Sequence, residues 1–356
     1  MMYPTFREFF AAILLCLAVT LLVFTSRYNR LYGDSAVTAE QPIVLIIEQT
    51  SGVDELIAEF ESKSIRFDPD ILRWAARVHG WRTYRPGRYE LGEAISYDEL
   101  LSKLARGIQD PGNVVIHSGI EPGILSQRLA FQLQADSAAF AEQFTDSSTI
   151  AVELNLSGEQ LFSRMLPNTY QMYWTSSPEQ VVRRVYREFE QEIINDYSEE
   201  IEQSRYSLNE IVTLASIVEW EARDAAEKER ISGLYQNRLN RGMMLQADPT
   251  VLYALGERRR LLYQDYTYDH PYNTYLYRGL PPGPITNPDK MSIRAVLQPE
   301  EHDYLFMVAT PEGSHEFNET FEKHRESSQN WRRWIQEQYR IKRELEQQEA
   351  SEVENQ

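Results

Sequence analysis

The chain has 356 residues, 42% of them hydrophobic, which is enough for two or three domains with sizeable cores. It carries 36 Lys and Arg residues against 54 Asp and Glu residues, and its formal net charge of -18 would repel the phosphate backbone of a nucleic acid. The single cysteine, Cys16, excludes an intramolecular disulfide and a zinc site built from several thiolates. We therefore expect no nucleic-acid partner and no disulfide framework.

The first predicted element is a membrane helix at residues 9–26. This uncharged run is rich in Leu, Val, Ile and Ala, and as a helix it spans roughly 27 Å, close to the hydrocarbon thickness of a bilayer. A retained anchor is favoured over a cleaved signal peptide, because residues 23–27 lack the small residues that a cleavage site requires. Basic residues after the helix outnumber those before it, which by itself favours a cytoplasmic location for the rest of the chain.

A linker at residues 27–42 is predicted to lead into a small α+β module at 43–110. The β-branched run 43–47 (IVLII) indicates a buried strand, and two helices are expected to follow it. The second of these helices should stop at Gly80, since glycine commonly ends a helix. A turn then leads to a short strand and a third helix. A similar strand–helix order recurs near residues 114–133, although unrelated strand–helix pairs explain it equally well.

The most informative helix begins at Ser207, which forms a capping-box pattern with Glu210. It is apolar around most of its circumference, so we expect it to be buried. It ends in Glu219, Trp220 and Glu221. Asp224 and Glu227 then form a second capping pattern, which predicts that another helix follows directly.

A carboxyl group at the end of a buried helix is a candidate general acid. Desolvation favours its neutral form and raises its pKa, which suits protonation of a glycosidic oxygen near neutral pH. The spacing does not choose between Glu219 and Glu221. An alternative is that both glutamates pair with arginines such as Arg223 or Arg238.

The segments downstream predict a rigid, tyrosine-rich loop. Residues 279–285 (GLPPGPI) lie between two patterned regions, which indicates a rigid loop and not a flexible linker. Tyrosines and an asparagine on it could stack on a sugar ring and bond to its polar groups, although the loop could equally be packed by its own aromatic rings. The sequence contains no glycine-rich phosphate loop, no nucleophile elbow and no close metal-ligand spacing among its histidines, so it requires neither a cofactor nor a metal.

Taken in order, these segments closely resemble the MltG (YceG-like) family of endolytic murein transglycosylases. Each motif is weak alone, but five in the same order are highly specific. Asn168 and Ala247 depart from the family pattern, which usually has Asp and Ser there, and neither touches the proposed acid. The motifs are 215–221 (ASIVEWE), 245–251 (LQADPTV), 272–275 (YNTY), 279–285 (GLPPGPI) and 315–317 (HEF), with 166–170 (LPNTY) upstream.

The resemblance implies a single-pass inner-membrane protein whose bulk is periplasmic, which overrides the charge argument on orientation. It implies an α+β protein whose module at 43–110 is LysM-like, followed by a catalytic region at 111–324 and a charged C-terminal helix and tail at 325–356. Residues 1–8 would be a short cytoplasmic N-terminus. Peptidoglycan glycan strands would be the substrate, and peptidoglycan synthases are candidate partners.

The resemblance matches the family's catalytic glutamate to Glu219. This residue would protonate the oxygen between N-acetylmuramic acid and N-acetylglucosamine, then help the muramyl 6-hydroxyl attack its own anomeric carbon, giving a 1,6-anhydro end. The alternatives are a muramidase that uses Glu219 with Asp248, and a peptidoglycan-binding scaffold without activity. The candidate substrate-binding residues, all from these motifs, are Gln246, Asp248, Tyr272, Asn273, Tyr275 and His315.

Overall fold

The computed structural model describes residues 6–34, 36–63, 65–222 and 224–354. They form two compact units: the first contains the described residues of 6–114, 132–135 and 171–176, and the larger second unit contains those of 115–131, 136–170 and 177–354. Helices and strands are mixed in both units, so the predicted α+β class is confirmed. Residues 1–5 of the predicted cytoplasmic N-terminus and the last two residues of the predicted tail lie outside the described residues.

The N-terminal helix α1 spans Phe6–Tyr32 and is 27 residues long. Its most apolar window has a mean hydropathy of 2.6 and none of that window is buried, so α1 is long and apolar enough to cross a membrane. The helix extends beyond the predicted span at both ends and takes in the first part of the predicted linker. Near its C-terminal end, Leu31 is only 7% exposed and packs in the core of the first unit.

The first unit is built around a strand–helix–helix–strand segment. Strands β2 and β3 pair antiparallel, with Ile43 opposite Leu91 and Ile47 opposite Gly87. Helix α3 ends at His79, and Gly80 adopts a left-handed conformation with φ 71°, as the sequence predicts. The bounds are β1 Val37–Thr38, β2 Ile43–Ile47, α2 Val53–Ser62, α3 Pro69–His79, β3 Gly87–Leu91, β4 Ala94–Ile95, α4 Tyr97–Arg106 and β5 Gly112–Ile116.

The second unit is organised around one buried helix, α11. Ser207 and Glu210 form the predicted capping box at its start, and every residue from Ile211 to Val218 is buried. Helices α12 and α14 pack against it. The bounds are α5 Pro122–Gln132, α6 Ser137–Glu142, α7 Thr149–Leu154, α8 Gly158–Ser163, β6 Asn168–Met172, α9 Pro178–Phe189, α10 Ser198–Gln203, α11 Leu208–Glu221, α12 Lys228–Asn240, α13 Asp248–Leu255, α14 Lys290–Leu297, β7 Phe306–Ala309, β8 His315–Asn318 and α15 Phe321–Glu354.

Among the elements of the second unit, β7 and β8 pair antiparallel in a two-stranded ribbon, with Ala309 opposite His315. Helix α15 contacts both of its strands. These contacts bring the start of the C-terminal helix and the β7–β8 ribbon together in the second unit.

Helix α12 approaches the chain before β7 so closely that only glycine fits at position 233. A Cβ atom there would overlap the carbonyl oxygen of Glu300 and come within 2.8 Å of Nε2 of His302. We expect Gly233→Ala to destabilise the protein by about 1–3 kcal/mol through overpacking, although alanine is the better helix former. Gly123→Ala is the matched control, because a Cβ atom at Gly123 meets nothing within 4 Å. Thermal unfolding measures both variants, and equal stability would contradict the close approach.

Candidate functional site

A cavity of about 490 Å³ opens in the second unit where α11 ends. The end of α11, the middle of α12, the start of α13 and the β7–β8 ribbon all line it. Its apolar wall is formed largely by Phe306, Met307 and Phe321. The polar side chains that line it are Glu221, Tyr235, Arg238, Gln246, Asp248, Tyr275, His315 and His324.

Glu221 is the last residue of α11 and one of the two carboxylic acids that line this cavity. Burial raises the pKa of its carboxyl to about 7, and the nearby charge of Asp248 acts in the same direction. The hydroxyl of Tyr235 donates a hydrogen bond to Oε1 over 3.0 Å, which opposes the rise without cancelling it. Near neutral pH, a large fraction of the protein molecules therefore carries Glu221 in its protonated form.

Asp248 lies in a different environment on the same cavity wall. The hydroxyl of Tyr275 donates to Oδ1 over 2.6 Å, and the hydroxyl of Tyr266 lies 3.5 Å from Oδ2. Asp248 is also the first residue of α13, where the helix dipole favours a negative charge. Burial and the adjacent carboxylate raise the pKa of Tyr275, so its hydroxyl remains a donor. The two carboxyl groups thus have unlike surroundings, as acid and stabilising groups in a catalytic site often do.

Gln246 adopts a strained backbone conformation beside Asp248. Its φ of 52° lies in the left-handed region, which residues other than glycine rarely adopt and which often marks functional sites. Nη2 of Arg238 donates to Oε1 of Gln246 over 2.8 Å, while Nη1 donates to the carbonyl oxygen of Leu245 over 2.7 Å. Arg238 therefore fixes this turn. It is not the partner of either glutamate, and the other arginine considered, Arg223, lies outside the described residues.

Glu219 lies in a buried ion cluster and is not among the residues that line the cavity. Its side chain is 8% exposed, and its Oε2 lies 2.9 Å from Nζ of Lys228 and accepts a hydrogen bond from Ser292 over 2.6 Å. Lys228 also contacts Asp289 at 2.7 Å. Burial acts to raise the pKa of Asp289, but bonds from Lys228 and from the Ser292 backbone hold it below its usual value. The cluster joins the end of α11 to the starts of α12 and α14.

Two of the predicted substrate-binding residues shape the loop and do not line the cavity. The hydroxyl of Tyr272 donates to Glu159 over 2.8 Å. Asn273 is fully buried, and its side chain donates to the carbonyl oxygens of Tyr266 and Tyr268. Their binding of a substrate stays a prediction.

The structure brings the other four predicted binding residues, Gln246, Asp248, Tyr275 and His315, into one cavity, although their binding of a substrate stays a prediction. Sequence reasoning missed Tyr235, which looks like an ordinary member of the helical pattern of α12, and considered Arg238 only as a partner of the glutamates. It also read Glu227 only as a capping residue, whereas its carboxylate contacts His315. Within the described residues, no three or more His, Cys, Asp or Glu side chains are grouped to hold a metal ion.

A buried helix that ends in a carboxyl of raised pKa at a polar cavity is typical of the sites of acid–base enzymes. The sequence profile of the YceG-like family matches residues 45–330, most of the chain. The crystal structure of a yceG-like protein from Listeria monocytogenes is similar to this chain with a TM-score of 0.59 and 29% identity, over 81% of this chain and 99% of that one. The chain belongs to the YceG-like family.

Curated relatives from two organisms carry the same name, endolytic murein transglycosylase. The endolytic murein transglycosylase of Bacillus subtilis is 26% identical over 322 residues, which is 85% of this chain and 89% of that protein. The endolytic murein transglycosylase of Streptococcus pneumoniae is 26% identical over 295 residues, which is 74% of this chain but only 53% of that longer protein. The match to the Bacillus protein therefore extends over nearly the full length of both chains.

We expect Glu219→Gln and Glu221→Gln to change stability in opposite directions. Glu219→Gln leaves Lys228 with only one of its two carboxylate partners in a buried place, and we expect a loss of about 3 kcal/mol. The pKa of Glu221 is raised from 4.5 to about 7 in the folded protein, so between these two pH values the carboxyl takes up a proton on folding. The contribution of Glu221 to the free energy of unfolding is therefore lost as pH rises through that interval. Glu221→Gln should therefore gain stability relative to the wild type between about pH 5 and pH 8.

Thermal unfolding of both variants and the wild type across this pH range measures the difference. The two substitutions are chemically identical and lie two residues apart on one helix. If the melting temperatures of Glu221→Gln and of the wild type change in parallel at every pH, the Glu221 carboxyl is ionised in the folded protein. An unchanged melting temperature for Glu219→Gln would show that the ion cluster does not stabilise the fold.

Proposed function

We propose that this protein is a membrane-anchored endolytic lytic transglycosylase that cleaves the bond between N-acetylmuramic acid and N-acetylglucosamine in peptidoglycan, with Glu221 as the general acid. The observation that carries the proposal is the Glu221 carboxyl, whose pKa is raised to about 7 in a polar cavity. The endolytic murein transglycosylases among the relatives of the chain support the reaction class. The resemblance to the family matched the acid to Glu219, two residues earlier on α11, and that assignment stays the alternative prediction.

The choice of Glu221 over Glu219 follows from what each carboxyl can reach. An acid catalyst must hold a proton and must approach the glycosidic oxygen to about hydrogen-bond distance. Glu219 has its Oε2 engaged by Lys228 and Ser292 and is 8% exposed. Glu221 lines the cavity and receives one hydrogen bond there, from Tyr235. Glu221 therefore combines a raised pKa with a place in the cavity lining, and this combination supports it as the acid.

The reaction consumes no water. Glu221 gives its proton to the oxygen that leaves with the N-acetylglucosamine residue, and positive charge develops at the anomeric carbon of the muramyl residue. The carboxylate of Asp248, held by Tyr275 and Tyr266, lies on the same cavity wall and would stabilise that charge. The muramyl 6-hydroxyl then closes onto the anomeric carbon, which leaves a 1,6-anhydro end.

A muramidase that uses Glu221 and Asp248 is the second candidate, because both carboxyl groups line one cavity. Hydrolysis needs a second carboxylate that either activates water or attacks the sugar. Both Asp248 oxygens face tyrosine hydroxyls, which favours a stabilising role over nucleophilic attack. Mass spectrometry of the digested glycan separates the two reactions, since the hydrolysed product is heavier by one water. If the protein binds glycan strands but does not cleave them, it is a peptidoglycan-binding scaffold.

The proposed location is the inner membrane, with α1 as a single-pass anchor and both units in the periplasm. The length and hydropathy of α1 support the anchor. The strand–helix–helix–strand order of β2, α2, α3 and β3 supports a LysM-like glycan-binding module within residues 43–110. Peptidoglycan synthases stay candidate partners on the ground that such an enzyme acts on the strands they make.

We expect Glu221→Gln to lower the rate of glycan cleavage by about 10²–10⁴-fold, because the amide cannot donate the proton. Glu219→Gln is the matched control and should retain cleavage when assayed below its melting temperature. The assay uses the full-length protein in detergent, purified glycan strands and mass spectrometry of the products. Loss of cleavage in folded Glu219→Gln, with activity retained in Glu221→Gln, would assign the acid to Glu219.

The pH dependence of kcat/KM should report the same carboxyl. The rate should fall above about pH 7 as Glu221 loses its proton. Asp248 raises the pKa of Glu221, so Asp248→Asn should move this alkaline limb to lower pH, whatever its effect on the maximum rate. An alkaline limb that stays in place in Asp248→Asn would mean that a different group sets it.

A further inference from the structure

The loop after α13 displays two tyrosine rings on a fixed backbone. Tyr263 is 95% exposed and Tyr268 is 44% exposed. Between them, Asp265 is only 4% exposed. Its carboxylate accepts hydrogen bonds from both terminal nitrogens of Arg259, over 2.6 and 3.0 Å, and from the backbone N–H of Leu262 over 2.6 Å. Tyr263 is therefore presented to solvent by a turn whose own backbone is held in place.

Asn273 fixes the same loop from its other end. It is fully buried, and its side-chain nitrogen donates to the carbonyl oxygens of Tyr266 over 3.1 Å and of Tyr268 over 2.8 Å. The ring of Tyr268 also lies nearly parallel to the ring of His270, with an interplanar angle of 8° and 5.9 Å between the centroids. A preformed surface of this kind loses little conformational entropy when it binds a partner.

Tyr266 lies between the two exposed tyrosines in the chain and connects them to the cavity. Its hydroxyl lies 3.5 Å from Oδ2 of Asp248, and its ring centroid lies 4.6 Å from that of Tyr275. Asp248 and Tyr275 both line the cavity. Burial raises the pKa of the Tyr266 hydroxyl, and Asp248 and Tyr263 act in the same direction, so Tyr263 is also close to this hydroxyl. The exposed rings therefore flank the residue that reaches the cavity wall.

The size of the cavity means that a polymeric substrate must extend beyond it. At about 490 Å³ the cavity has the volume of a site for a small ligand. A glycan strand that is cleaved internally continues on both sides of the cleaved bond, so it must pass over the rim of the cavity. Tyrosine suits a sugar residue there, because its flat ring packs against the apolar face of a pyranose while its hydroxyl bonds to polar groups of the sugar.

We propose that Tyr263 and Tyr268 form an outer subsite that binds sugar residues of the glycan strand beyond the two that the cleaved bond joins. This inference rests on the proposed function. Leu262, which is 53% exposed next to Tyr263, extends the apolar surface of the outer subsite. Because the outer subsite contacts sugar residues that take no part in the reaction, it binds substrate and transition state equally and acts on KM for long strands.

Kinetics with two substrates test the outer subsite. In the full-length protein in detergent, Tyr263→Ala and Tyr268→Ala should each raise KM for long glycan strands by about 3–10-fold at unchanged kcat. For glycan fragments that contain a single cleavable bond, KM should stay at the wild-type value, since such fragments are too short to reach the outer subsite.

Two further variants serve as controls. Tyr263→Phe keeps the aromatic ring, so it should keep most of the binding to long strands. Phe131→Ala removes another exposed ring, because Phe131 is 93% exposed on α5, and this variant should keep the wild-type KM for both substrates. The melting temperature of each variant is recorded alongside, so that a loss of folded protein is distinguished from a loss of binding.

The outcomes separate this inference from the proposed function. If the wild-type protein cleaves no glycan, the proposed function is wrong and the outer subsite falls with it. If the wild-type protein cleaves glycan but both alanine variants keep its KM for long strands, only the outer subsite is wrong. An equal rise of KM for short fragments, or a fall in kcat at an unchanged melting temperature, would also contradict the outer subsite. A higher KM for long strands alone, with Tyr263→Phe close to the wild type, would support it.

Discussion

Helix α11 brings two carboxyl groups to a place where negative charge is unfavourable. The helix is buried along Ile211–Val218, and Glu219 and Glu221 lie at its C-terminal end, where the helix dipole is itself negative. Desolvation accordingly raises the pKa of Glu221. The two carboxyl groups have different partners: Glu219 contacts Lys228 at 2.9 Å, while Glu221 accepts a hydrogen bond from Tyr235. The geometry of the candidate site depends on this difference.

The ion cluster around Glu219 explains how the other site residues are held. Lys228 is the first residue of α12, and Asp289 caps the start of α14, so one buried cation joins three helices at the end of α11. Helix α12 then carries Tyr235 and Arg238 to the cavity, the first to contact Glu221 and the second to fix the turn at Gln246. Glu219 and its ion cluster are thus part of the framework that positions Glu221.

Much of this arrangement could be predicted from the sequence, because it depends on local patterns. The capping box at Ser207, the burial of α11 and the stop at Gly80 all follow from short-range rules that the structure confirms. The different surroundings of Glu219 and Glu221 could not be predicted, because Lys228 and Ser292 approach Glu219 from other helices. The partners of Tyr272 and Asn273 could not be predicted either, since Glu159 is distant in sequence and the others are backbone groups.

The end of α1 has a consequence for where such a protein could work. Leu31 is buried in the core of the first unit, and the segment after it contains strand β1, which pairs with β4. The stretch predicted as a free linker therefore attaches the helix firmly to that unit. If α1 crosses the inner membrane, the first unit stays within a few residues of the bilayer surface. The reach of the first unit from that surface would then be set by the fold itself and not by the length of a flexible tether.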